Sequence, residues 1–141
     1  MEYFEIKRSS IKGDLEYKCI FNYKNDQDEI ILHLCDPVLG ELDFIGFDLF
    51  DALNKVRFFL EKKGFLLLCA GSMPNVFPSG MLRNRTNGRI SYLHKYRKKP
   101  TINDTIDIFQ PVEKNVVGTI EEQNIFMISL REYFKSSDIE E

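Results

Sequence analysis

The period of the apolar pattern changes within the first half of the chain, and that change restricts the fold more than any single motif. Residues 15–23 place Leu15, Tyr17, Cys19, Phe21 and Tyr23 on one side and Glu16, Lys18 and Asn22 on the other. This period of two belongs to a half-buried strand. Residues 3–7 alternate the same way, with Phe4 and Ile6 opposite Glu5 and Lys7. Residues 29–35 form a third, more apolar strand that Asp36-Pro37 ends, since proline has no N–H for the ladder. The turns at Gly13-Asp14 and Asn25–Asp28 are short, which implies an antiparallel meander.

From residue 47 the period becomes helical. Leu49, Ala52, Leu53, Val56, Phe59 and Leu60 recur along one face through residue 63. Asp48 and Asp51 at the start and Lys62 and Lys63 at the end suit the helix dipole, and Gly64 supplies a left-handed cap. Phe65–Ala70 reads as a buried strand, followed by a turn-rich stretch over 71–80. Asn87-Gly88 predicts a hairpin pairing Met81–Arg85 with Arg89–Tyr96. Residues 105–109 form a last strand. Thr119-Ile120-Glu121-Glu122 is a capping box that opens a helix with Phe126, Leu130 and Phe134 on one face. The tail 136–141 is expected to fray. The fold class is therefore α+β: a mainly antiparallel sheet, meander plus hairpin, with two packed helices. At 141 residues, with 43% of them hydrophobic, the chain makes one domain, 1–141, with a core of its own.

Its longest apolar run, Phe65–Ala70, is far too short to span a bilayer, and Glu2 and Glu5 stand where a signal peptide carries a basic flank. No membrane association is expected, and the location expected is the cytoplasm. Cys19, Cys35 and Cys69 are odd in number and lie in apolar stretches, so they read as small hydrophobes rather than a disulfide framework.

Charge is segregated along the chain. Residues 1–63 carry 9 basic and 13 acidic side chains; residues 64–103 carry 7 basic and none acidic; residues 104–141 carry 3 and 9. A basic surface for phosphates or an acidic partner is one explanation. Internal pairing of the basic segment with acids from both flanks is the plainer one.

Motifs for covalent chemistry are weak. His33-x-Cys35 supplies two ligands where a metal site needs three or four, and no third group is at hand to orient a Cys–His nucleophile. No phosphate loop and no Gly-x-Ser-x-Gly elbow occurs. The pairs Asp48/Asp51 and Asp104/Asp107 have simpler roles at a helix start and on a strand. No catalytic residue, metal or cofactor is expected, and an enzyme using His33 or His94 is the third-ranked possibility.

One stretch carries a resemblance. Gly64–Gly71 leads to Pro78-Ser79-Gly80-Met81, then Tyr92, then Thr105-Ile106-Asp107-Ile108-Phe109. This resembles small bacterial immunity proteins that accompany polymorphic or contact-dependent growth inhibition toxins. The resemblance covers about a third of the chain and implies a non-enzymatic protein that binds one cognate toxin and covers its active site. It carries over no functional residue. A nuclease toxin would offer a basic surface to which an acidic inhibitor is complementary. Asp26, Asp28, Glu29, Asp48 and Asp51 are then the candidate contacts, with Arg83, Arg85 and Arg89 as the candidates if the toxin face is acidic. The alternative function is RNA binding along 83–99, where Arg89, Tyr92, Lys95 and Tyr96 interleave cations with aromatic rings.

Overall fold

The computed structural model describes the backbone of residues 1–140 and the side chains of residues 1–136. Four strands run as a meander: β1 (Phe4–Ser10), β2 (Glu16–Asp26), β3 (Glu29–Asp36) and β4 (Gly40–Gly46). With β5 (Phe65–Leu67) they make an antiparallel sheet in the order β4-β3-β2-β1-β5. Helix α1 (Leu49–Lys62) packs on it. A second antiparallel sheet, in the order β6-β7-β8, joins β6 (Val76–Phe77), β7 (Ile90–Leu93) and β8 (Thr105–Asp107). Between β6 and β7 lies helix α2 (Gly80–Thr86), and α3 (Ile120–Glu140) closes the chain. The architecture is α+β and mainly antiparallel.

The alternating residues form the core. Ile6, Cys19, Phe21, Ile30, Leu32 and Leu34 present one face of the sheet to Leu49, Leu53, Val56 and Leu60 of α1. Asp48 caps α1, accepting from the Asp51 N–H at 2.8 Å, and Gly64 follows the helix with φ +86°. Thr119 and Glu122 form the expected box: the Glu122 carboxylate accepts from the Thr119 N–H at 3.0 Å and the Thr119 hydroxyl from the Glu122 N–H at 3.1 Å. Leu130 is buried, and Phe126 and Phe134 are half-buried against the core. The frayed tail expected over 136–141 falls largely on side chains outside the described residues.

β5 stops at Leu67 and β8 at Asp107, where the sequence predicts strands through Ala70 and residue 109, and two larger features differ from the sequence expectation. Residues 81–85 are helical, not a hairpin strand. Ser79 Oγ accepts from the Leu82 N–H at 3.1 Å and starts α2, and Asn87 ends it in the left-handed region at φ 56°. Asn-Gly suits a two-residue hairpin and a left-handed helix stop equally, because both need positive φ. The Ser79 cap decides for the helix. β7 consequently pairs with β6 and β8, and Pro78-Ser79-Gly80-Met81 is the start of α2. The second difference is β4, which the sequence reading omitted. Asp36 Oδ1 accepts from the Val38 and Leu39 N–H groups, each at 2.9 Å, and bends the chain back, and Gly40 takes φ +83°. Leu42 and Phe44 then alternate with Glu41, Asp43 and Ile45 over seven residues bounded by glycines.

Two buried polar clusters hold the layers together. Arg8 makes a bidentate pair with Asp36, at 2.5 and 2.9 Å, and its guanidinium packs over the tilted rings of Tyr17 and Phe65, 4.1 and 4.2 Å from their centres. Arg57, only 2% exposed, has no carboxylate among its hydrogen-bond partners in the described residues. It donates to Asn54 Oδ1 at 2.9 Å, the Gly71 carbonyl at 2.9 Å and Gln123 Oε1 at 2.7 Å. Gln123 in turn donates to the carbonyls of Gly71, Met73 and Val76, which ties α1, the 71–76 segment and α3 together.

Candidate functional site

Local chemistry delivers three separate elements to one edge of the molecule. The first is the β2–β3 turn, where Gln27 accepts a left-handed conformation at φ 57° and Asp26 faces Glu29 across the pair. Asp26, Asp28 and Glu29 all project into solvent there. The second is the start of α1, and the third is the end of α2. Asn87 donates from its side chain to Asn25 Oδ1 at 3.2 Å, and its carbonyl accepts from the Leu49 N–H at 2.8 Å. Gly88, at φ +77°, lets the backbone approach closely: a Cβ there would lie 2.8 Å from Asp48 Cγ and 2.9 Å from the Phe50 nitrogen.

At the junction sits Phe47, 64% exposed. It borders a small hollow of about 150 Å³ together with Asn25, Gln27, Asp28, Glu29 and Asn87. The Phe47 N–H donates to Asp51 Oδ2 at 3.1 Å, and Arg83 lies 5.3 Å from the centre of its ring. The face therefore has an exposed aromatic centre, a carboxylate-rich turn on one side and α2 on the other.

The structure sorts the candidate residues by what they already do. Asp48 is 4% exposed and accepts from Arg83 Nη1 at 2.8 Å as well as capping α1. One candidate from the acidic set is thus bound to one from the basic set. Asp51 is half-buried, close to the Lys55 ammonium. Arg89 donates to Asp107 at 3.0 Å, to Glu2 at 2.9 Å and to the Tyr23 hydroxyl at 3.1 Å, which holds its proton more firmly than an ordinary arginine. Lys95 lies 3.4 Å from Asp104. Arg83, Arg89 and Lys95 therefore meet acids from both flanking segments, as internal pairing requires. Arg85, Arg97, Lys98 and Lys99 remain exposed, with no ion pair among the described residues. Asp26, Asp28, Glu29 and Arg85 are thus the charged candidates available to a partner, and Phe47 is the residue the sequence reading missed. The signal for it was an aromatic immediately before a helix cap, a position usually turned inward as a staple.

The histidines lie apart. His33 is on the outer face of β3, with Nδ1 2.6 Å from Asp43 and Nε2 3.2 Å from Glu41, and these carboxylates raise its pKa. His94 is buried against Phe77, and desolvation lowers its pKa, so it is neutral at physiological pH. Burial pushes the Cys19 thiol up to about 12, with Asp36 at 3.2 Å adding to the effect, and burial raises Cys69 as well. Both thiols are protonated and inert at neutral pH. Among the described residues, no group of three or more His, Cys, Asp or Glu side chains is placed to hold a metal ion. No described helix is long and apolar enough to cross a membrane.

No protein-family profile matches this chain, and no curated protein matches it at a significant level.

Proposed function

We propose that this is a cytoplasmic immunity-type protein that binds a cognate toxin domain, of the nuclease class, and covers its active site through the face around Phe47. The observation that carries this reading is the exposed aromatic ring set between the Asp26–Glu29 turn and α2. An aromatic anchor with a charged rim is the usual anatomy of a protein interface. The exposed carboxylates of the turn, in no ion pair among the described residues, would attract a phosphate-binding surface and speed encounter. The Pro-Ser-Gly-Met and Asp-Ile-Phe segments carry the family resemblance; the first opens α2 and the second places Ile108 and Phe109 in the core.

The test is a pull-down from the native strain with a nuclease-treated control, followed by binding kinetics and a growth-protection assay. A single co-purifying toxin fragment that survives nuclease is expected. Phe47→Ser should then weaken its binding by about 2 kcal/mol or more and reduce protection, without lowering the melting temperature. Wild-type affinity in that variant would exclude the face. Nucleic acid as the only partner, lost at moderate salt, would favour RNA binding through Arg85 and the 95–99 loop instead.

A further inference from the structure

A second concave surface lies between the loop after β7 and helix α3, with none of the residues of the Phe47 face. It encloses about 560 Å³, within the range of sites that hold small organic ligands. Leu130 is its one buried lining residue among the described residues, Pro74, Phe126 and Tyr133 are half-buried, and Ile125 of α3 and Tyr96 of the loop add exposed apolar surface. Ile125 is more than half exposed although it belongs to this apolar lining.

The polar groups are asymmetric. Arg97 stands in the left-handed region at φ 58°, a conformation that strains a non-glycine residue. Its guanidinium stacks on Tyr96 at 4.9 Å and on Tyr133 at 5.2 Å, and it makes no hydrogen bond or ion pair among the described residues. Lys98 and Lys99 follow it, both exposed. The carboxylate lining the cleft, Glu122, belongs to the first turn of α3 and accepts from Thr119. It precedes Tyr133 by eleven residues, about 16 Å along the helix. One end of the cleft is therefore cationic, with a planar donor fork held by two rings. The middle is apolar, and the far end repels anions.

We propose that this cleft binds an amphipathic carboxylate: a linear apolar body along Ile125, Phe126 and Leu130, with its anionic head on Arg97. The guanidinium fork matches a carboxylate and is pre-oriented by stacking, so little side-chain freedom is lost on binding. The apolar body covers hydrocarbon that water otherwise touches.

Titration calorimetry with octanoate, 1-octanol and octyltrimethylammonium tests this on the full chain. Octanoate should bind at a 1:1 ratio about tenfold more tightly than octanol, and the cationic amphiphile should not bind. Arg97→Gly suits the left-handed backbone, so it should fold with an unchanged or higher melting temperature while octanoate affinity falls to that of octanol. Ile125→Glu should abolish both. No saturable octanoate binding, equal affinity for the three head groups, or full affinity in Arg97→Gly would each overturn the proposal. So would a dimer in sedimentation that Ile125→Glu converts to monomer, since a second copy would then occupy the cleft. Each of these outcomes leaves the immunity reading untouched.

Discussion

Arg57 shows how much one side chain can contribute without an ion pair. Burial makes its proton easier to lose than usual, yet the guanidinium is surrounded by oxygen acceptors from three parts of the chain. Arg57→Leu would fill much of the volume but strand Gln123 Oε1 and the Gly118 carbonyl, and would leave the Gly71 carbonyl with Gln123 as its donor. A loss of about 3 kcal/mol is expected in chemical denaturation. Phe58→Ser, at the exposed neighbouring position, should stay within about 0.5 kcal/mol. Comparable losses for the two would contradict the network. His33 makes a pH-dependent contribution. The Asp43 hydrogen bond, with Glu41 adding to it, raises the folded pKa above the unfolded value. The stabilisation is therefore present below about pH 6.5 and is lost as pH rises through the raised folded value. His33→Gln should cost more stability at about pH 5.5 than at about pH 8.5, roughly one unit below and two units above the unmodified pKa. An equal cost at both would mean that the carboxylates do not hold the proton.

Among the elements, α2 is short enough for its ends to decide its existence. Ser79→Ala removes the cap and should cost about 1 kcal/mol. Gly88→Val should cost more, because it meets both the positive φ and the 2.8 Å approach to Asp48. Hydrogen exchange at Arg83 reads both changes directly, since its N–H donates to the Ser79 carbonyl in the helix. Protection that survives Ser79→Ala undiminished would argue against the cap. The same element shows where local sequence is ambiguous. Asn87-Gly88 announces positive φ correctly, but whether the chain before it is strand or helix depends on the hydroxyl eight residues upstream. β4 failed for a related reason. Its seven residues are bounded by glycines, and its pairing is directed by the Asp36 carboxylate, whose own position depends on Arg8 of another strand.

For the whole molecule, folding offsets part of the segregation of charge along the chain: three of the seven cations of residues 64–103 meet carboxylates from the flanking segments. Asp48 meets Arg83, Asp107 and Glu2 meet Arg89, and Asp104 meets Lys95. Charge-reversal experiments must respect this. Arg83→Glu would leave the buried Asp48 beside a like charge and damage the fold, so Arg85→Glu is the clean control. Reversing Asp26, Asp28 and Glu29 together should slow toxin association about tenfold or more at low salt, and the difference should shrink as salt rises. Arg85→Glu should leave the rate unchanged or raise it. An on-rate indifferent to the turn would move the interface elsewhere. Its fluorescence is carried by tyrosine alone, since the chain has no tryptophan.

The alternating residues of β1–β3, the helical repeat of 49–60 and the Thr119–Glu122 box could be read directly because their signals are local. Period, cap and turn chemistry all act within a few residues. The candidate face could not be read that way. Asp28, Phe47 and Asn87 are far apart in sequence, and close packing at Gly88 together with the Asn25–Asn87 bond brings them to one edge. Which charges stay free was equally hidden, since a cation is neutralised by whichever carboxylate the fold places within about 4 Å, and those partners come from both ends of the chain.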